Sequence, residues 1–156
     1  MQVNRFVHTN VVCASLEQSI KFYVEILGAT IHKRMESGDV DLRSCMGLED
    51  LGHAPYRAAL VYFADARVGP YLDLLEWLGE QTAAPPNPVN GRGRGLARIA
   101  LEVDDLDAYI ERFADHDIPP VGPAQEETFG PWRMRLVFFR DPDGTLVELI
   151  EFVDPK

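Results

Sequence analysis

The stretch GLARIALEVDD, residues 95–105, carries the pattern that decides the predicted fold. Its apolar residues Ile99, Leu101 and Val103 alternate with other side chains, which is typical of a β-strand. A second stretch, HTNVVC at residues 8–13, aligns with the centre of the first, and its odd-numbered apolar residues fall on those of the first. The sequence therefore predicts two copies of one structural unit in a single chain.

Each copy continues into a predicted helix. One apolar stripe, with spacings of four and three residues, runs along each helix and is formed by Leu16, Ile20 and Tyr23 in the first copy and by Leu106, Ile110 and Phe113 in the second. Ser15 with Gln18 forms a capping box, and either Asp104 or Asp105 can cap the second helix. Gly28 suits the C-terminal turn of the first helix.

Further β-like runs complete each half. They are Ala29–Arg34, Arg57–Phe63 and Leu72–Trp77 in the first half, and Ile118–Gly122, Trp132–Phe139 and Val147–Phe152 in the second. The prediction is an α+β fold of two βαβββ modules, residues 1–78 and 95–156, joined by a Pro/Gly-rich linker at 79–94. We expect the modules to form a curved mixed sheet around a cleft, paired within one chain or across a dimer. An insertion at 37–56 is either a lid or a surface loop.

The composition excludes several classes of partner. A formal charge of −10 argues against a nucleic-acid or anionic-membrane surface, because such binding depends on Lys and Arg. No apolar run reaches the about 18 residues that cross a bilayer, and MQVNRFVHTN does not have the order of a signal peptide. We therefore expect a cytoplasmic protein in which Cys13 and Cys45 are free thiols.

Two segments resemble a known family. HTNVVCASLEQSIKFYVEILG, residues 8–28, and FFRDPDGTLVELIEF, residues 138–152, are similar to the two ends of the vicinal oxygen chelate superfamily. That superfamily includes glyoxalase I, methylmalonyl-CoA epimerase, extradiol dioxygenases, fosfomycin-modifying enzymes and bleomycin-resistance proteins. The resemblance covers nearly the whole chain and implies the glyoxalase/bleomycin-resistance-like fold, with a small-molecule substrate and a homodimer as expectations, but it is not specific for one reaction.

The resemblance also implies four site positions, which fall on His8, Asp73, Arg98 and Glu148. In the family these positions hold a divalent metal, and His8, Asp73 and Glu148 are residue types that could bind zinc, nickel, manganese, iron or cobalt. Arg98 cannot, because a guanidinium carries only donors and a permanent positive charge. The alternatives are a metal site that has lost one ligand and a metal-free site with a fixed cation, and the metal-free site is favoured. A buried salt-bridge cluster with only a structural role is the third interpretation.

The chemistry expected of such a site is stabilisation of negative charge on a substrate oxygen. Glu148, or else Asp73, would move the proton, and His8 is a further candidate acid or base. The resemblance thus implies an isomerase, epimerase, lyase or cyclase that acts at a carbon next to a carbonyl, through an enolate-like or alkoxide intermediate, without an organic cofactor. A dioxygenase is less favoured, because Arg98 stands where that branch has an iron ligand.

A binding protein of the bleomycin-resistance type is the alternative function, since such proteins sequester aromatic ligands without a metal. Six aromatic residues could line its walls, although we expect most of them to be ordinary core: Tyr62, Tyr71, Trp77, Phe129, Trp132 and Phe139. Glu76 and Glu151 lie three residues after Asp73 and Glu148, so we expect them on the opposite faces of their strands, away from the site.

Overall fold

The computed structural model describes residues 2–36, 55–65, 69–78 and 96–153. The chain divides into two compact units, Met1–Ala83 and Ala84–Lys156, and in its described part each unit contains one helical segment and one mixed four-stranded sheet. The predicted α+β class with two βαβββ modules is confirmed. The linker at 79–94, Cys45 and all of the insertion except Pro55 and Tyr56 lie outside the described residues.

In the first unit the sheet has the order β1-β4-β3-β2. The strands are β1 (His8–Val12), β2 (Thr30–Glu36), β3 (Tyr56–Tyr62) and β4 (Tyr71–Trp77). β1 runs parallel to β4 and the other neighbours are antiparallel. Helix α1 (Leu16–Ile20) continues as a π-helical segment, Lys21–Ile26. The hydroxyl of Ser15 accepts a hydrogen bond from the Gln18 amide at 3.4 Å, so the Ser15 half of the predicted capping box is confirmed.

The second unit repeats this arrangement with the sheet order β5-β8-β7-β6. Its elements are β5 (Arg98–Glu102), helix α2 (Leu106–Ala114), β6 (Gln125–Phe129), β7 (Trp132–Arg140) and β8 (Leu146–Phe152). β5 runs parallel to β8. Of the two candidate caps of α2, Asp105 is the one used, since its carboxylate accepts a hydrogen bond from the Ala108 amide at 2.9 Å.

One predicted strand is wrong. The segment near Ile118–Gly122 forms no strand, and the edge strand of the second sheet is instead β6, Gln125–Phe129. Pro119 and Pro120 have no amide hydrogen to donate to a neighbouring strand. Val121 still donates one backbone hydrogen bond to the Phe138 carbonyl at 2.8 Å, so the segment lies beside β7 without extending the ladder.

The helix of each unit packs on one face of its own sheet. In the second unit the Phe113 ring of α2 stacks on Phe139 of β7, with centroids 3.8 Å apart. In β4, Leu72 and Leu74 are buried, and Asp73 between them points to the other face. In each sheet the face turned away from the helix is therefore the one that carries the polar residues of interest.

Within the described ranges, none of the helices has the length and apolar character needed to cross a membrane.

Candidate functional site

The register of β1 against β4 brings together the polar residues of the first unit. His8 lies beside Tyr71, and Asn10 lies beside Asp73. Because alternate residues of a strand share a face, His8, Asn10 and Asp73 all project from the sheet face opposite α1. The Asn10 side-chain amide donates a hydrogen bond to Oδ2 of Asp73 at 3.1 Å. Asn10 thus fixes the orientation of the Asp73 carboxyl group.

The Asp73 carboxyl group has unusual electrostatics for a surface-facing aspartate. Partial burial raises its pKa above the ordinary value, while the nearby His8 and the hydrogen bond from Asn10 act in the opposite direction. Its Oδ1 atom is buried and has no hydrogen-bond partner. One oxygen of Asp73 is thus held by Asn10 and the other is buried without a partner, and this burial makes the carboxylate a stronger base than an exposed one.

In the second unit, Arg98 forms an ion pair with Glu148. Nε of Arg98 lies 2.5 Å from Oε2 of Glu148, whose side chain is 6% exposed while that of Arg98 is 53% exposed. The Arg98 guanidinium carbon lies 5.7 Å from the centroid of the Phe138 ring, a cation–π distance. Phe138 and Glu148 are register partners on β7 and β8. The arginine at the start of the strand is therefore not in the core, and it neutralises a buried carboxylate on the face opposite α2.

The four predicted site residues thus form two pairs, one in each unit. His8 and Asp73 share the face of the first sheet, and Arg98 contacts Glu148 in the second. The pairs occupy corresponding places, since each combines a residue of the first strand of its unit with one of the last strand.

The residues of the second unit do not fit a divalent metal. Arg98 holds a fixed positive charge against the same Glu148 carboxylate that a metal would need. No group of three or more His, Cys, Asp or Glu side chains is placed to hold a metal ion in the part of the chain that the structure describes. The arrangement instead provides a guanidinium where the family resemblance implies a metal ligand.

Glu76 and Glu151 face the helices, as predicted. Glu76 accepts hydrogen bonds from the Leu16 amide at 2.9 Å and from the Arg57 guanidinium at 2.8 Å. Glu151 accepts one from Arg135 at 3.2 Å. Each glutamate is satisfied by an arginine of the neighbouring strand, so both serve the packing of their own unit.

Two residues of the site, Asn10 and Phe138, were not predicted from the sequence. Asn10 lies two residues after His8, so strand periodicity alone could have placed it on the same face. Its contact with Asp73 depends on the parallel register of β1 and β4, which periodicity does not specify. Phe138 is the first residue of a Phe-Phe pair, of which the second is buried and the first faces Arg98.

The six aromatic residues proposed as ligand walls have different surroundings. Only Phe139 among them is fully buried, so the expectation that most would be core is wrong. Phe129 and Trp132 are exposed and stack on each other with centroids 6.4 Å apart. Tyr62 and Tyr71 pack edge to face, and His32 at a β-bulge lies 5.1 Å from Tyr71 between ring centroids. Trp77 packs against Tyr56 at 5.9 Å.

Comparisons with known proteins give a consistent result. Residues 5–149 match the sequence pattern of the Glyoxalase/Bleomycin resistance protein/Dioxygenase superfamily. A probable lactoylglutathione lyase of Vibrio parahaemolyticus is 25% identical over 154 residues, which covers 97% of this chain and 93% of that protein. A solved glyoxalase family protein of Bacillus cereus has a TM-score of 0.78 at 24% identity, covering 99% of this chain and 97% of that one. The trypanothione-dependent glyoxalase I of Leishmania major has a TM-score of 0.62 at 20% identity, covering 96% and 87%. These two structural likenesses concern the fold alone.

Proposed function

Since the chain belongs to the glyoxalase/bleomycin resistance protein/dioxygenase superfamily, we propose that it is an isomerase, epimerase or lyase that uses Arg98 where its relatives use a metal ligand. The reaction takes place at a carbon next to a carbonyl. The observation that carries the proposal is the ion pair between half-exposed Arg98 and buried Glu148. An ion pair with a buried carboxylate is often no more stable than an apolar replacement, so a functional role accounts for it better than a structural one.

Arg98 supplies the positive charge in this mechanism. Removal of a proton from a carbon next to a carbonyl places negative charge on the carbonyl oxygen, and a fixed cation stabilises that oxygen in the transition state. Glu148 and Phe138 hold the guanidinium in place, so it needs no reorganisation when the charge develops. Glu148 is therefore a positioning residue for Arg98.

Considered within its own unit, Asp73 is the carboxylate best suited to accept a proton, which reverses the order expected from the sequence, where Glu148 came first. Glu148 is engaged by Arg98, whereas Asp73 has a buried oxygen without a hydrogen-bond partner and a pKa that burial raises. A raised pKa makes the carboxylate a stronger base near neutral pH. Asn10 orients the carboxyl group through its 3.1 Å hydrogen bond, and His8 interacts favourably with its charged form.

The proposal is tested by hydrogen exchange at carbon. Protein treated with a chelator is incubated in D₂O with candidate substrates. These are lactoylglutathione, the compound in the name of the relative from Vibrio parahaemolyticus, and small 2-oxo and 2-hydroxy acids. Proton NMR then measures deuterium incorporation at the carbon next to each carbonyl. We expect exchange with at least one compound and a decrease of about 10²-fold or more in Asp73→Asn, which removes the base.

The matched control is Asp104→Asn, an exposed aspartate before α2, which should exchange at the wild-type rate. An Asp73→Asn variant as active as wild type would contradict the assignment of the base. Absence of exchange with every compound, together with saturable binding of an aromatic ligand, would favour the sequestering function. That second candidate has its own support in the His32, Tyr62 and Tyr71 rings, since Tyr71 shares the sheet face of Asp73.

A further inference from the structure

A row of side chains across the second sheet contains two arginines. Leu146 of β8 is the register partner of Arg98 on one side and of Arg140 on the other. Register partners share a face, so both guanidinium groups arise on the face that also carries Glu148 and Phe138. The backbones of Arg98 and Arg140 are two strand spacings apart, about 10 Å. A small anion lying over Leu146 can therefore be contacted by both guanidinium groups.

Both arginines have donors to spare. Arg98 uses Nε for Glu148, and neither of its terminal nitrogens donates a hydrogen bond to any described residue. Arg140 is exposed and donates through Nη1 to the Gly144 carbonyl at 2.9 Å, which fixes its side chain beside the turn and leaves Nη2 and Nε for a ligand. Each guanidinium is thus held at one point and open at another.

The charges around this row favour an anion of low charge. Asp141, which follows Arg140, turns its carboxylate into its own turn, where Oδ1 accepts from the Asp143 and Thr145 amides. Glu148 is the acidic residue in the neighbouring row. These two rows of strand residues thus carry two guanidinium groups and one carboxylate, while the carboxylates of Asp141 and Asp143 belong to the turn. The adjacent Glu148 carboxylate opposes a phosphate dianion more strongly than a carboxylate monoanion.

We propose that Arg98 and Arg140 form an oxyanion-binding row in which Arg140 takes the carboxylate of a 2-oxo or 2-hydroxy acid and Arg98 takes the adjacent oxygen. The planar fork of a guanidinium matches a carboxylate in two parallel hydrogen bonds, and this match distinguishes an acid from its neutral ester. Arg140 is a specificity residue in this arrangement. The identity of the anion as part of the substrate rests on the proposed function, but the binding itself does not.

Calorimetric titration tests the proposal without turnover. The probe is oxamate, which has a carboxylate beside a carbonyl and no C–H bond to react, and it is compared with neutral ethyl oxamate and with inorganic phosphate at constant ionic strength. We expect saturable binding of oxamate, with Arg140→Gln and Arg98→Gln each weakening it about tenfold or more, as for loss of a charge-assisted contact. Arg133→Gln is the matched control, because Arg133 is exposed, lies on β7 like Arg140 and projects from the other face of the sheet.

Equal loss of affinity in Arg133→Gln, or equal binding of the ester and the acid, would overturn the proposal, since either result indicates unspecific attraction. Tighter binding of phosphate than of oxamate would overturn the carboxylate assignment. Arg140→Gln keeps the test valid if Arg98→Gln unfolds, because no described carboxylate depends on Arg140 for an ion pair. Oxamate binding without deuterium exchange in any substrate would support the oxyanion-binding row and contradict the proposed function.

Discussion

Arg98 determines whether the site of the second unit favours metal binding or the stabilisation of anionic oxygens. It is permanently charged, it pairs with a carboxylate that is almost fully buried, and it lies on Phe138. A histidine at this position could bind a metal or lose its charge, whereas an arginine can do neither. The position therefore favours stabilisation of anionic oxygens over metal chemistry.

The ion pair gives the first prediction. Arg98→Leu leaves Glu148 buried without its cation and should lower the free energy of unfolding by about 1–3 kcal/mol, while Arg98→Leu/Glu148→Leu should recover to within about 1 kcal/mol of wild type. Urea denaturation measures both. Arg34→Leu is the control, since it removes an exposed 2.7 Å pair with Glu17 and should change stability by less than about 1 kcal/mol. An unchanged stability in Arg98→Leu would show that Glu148 does not depend on Arg98.

Asp73 gives the second prediction. Folding raises the pKa of this carboxyl, so the folded state binds its proton more tightly and the charged form opposes folding. At a pH well below the ordinary pKa of 3.8, Asp73 is protonated in the folded and unfolded states and does not change the free energy of unfolding. As the pH rises through the pKa of the folded state, the charged form lowers the free energy of unfolding. Asp73→Asn should therefore match wild type at low pH and be more stable at pH 7, by less than about 1 kcal/mol after solvent screening.

Urea denaturation at both pH values measures this difference. Asp104→Asn, an exposed control, should show no such gain at either pH. A wild-type protein more stable than Asp73→Asn at pH 7 would mean that the interactions with His8 and Asn10 outweigh the cost of burial.

At the scale of elements, periodicity and caps predicted most of the structure. The strands with alternating apolar residues begin and end within two residues of their predicted bounds, and the helices contain the predicted apolar stripes. Both patterns arise because one face of each element is buried. The sequence could not locate β6, all of whose residues are exposed, since an edge strand with little buried surface has no apolar alternation to detect.

The cap of α2 gives the third prediction. Asp105→Ala removes the acceptor of the Ala108 amide and should cost about 1 kcal/mol of stability. Asp104→Ala removes an equal charge at the neighbouring residue but leaves the capping hydrogen bond of Asp105 intact. It should change stability by less than about 0.5 kcal/mol. Thermal denaturation compares the two. Equal losses would indicate that net charge, not the cap, is responsible.

At the scale of the whole molecule, the repeat predicted which residues are equivalent but not how they are paired. The resemblance to the superfamily identified His8, Asp73, Arg98 and Glu148, and the repeat places them at equivalent positions of the two halves. Asn10 aligns with Ala100, and Arg140 precedes a turn, so neither had a counterpart to mark it. Their roles depend on strand register, which becomes visible only when distant strands are side by side.

The central claim is that Arg98 replaces a metal in proton transfer at a carbon next to a carbonyl. The most direct test is deuterium incorporation into the substrate found by the exchange screen, measured by proton NMR with chelator-treated wild type and chelator-treated Arg98→Gln. Exchange should persist in the wild type and fall about 10²-fold or more in the variant. Exchange that requires an added divalent metal, or that is equally fast in Arg98→Gln, would contradict the claim.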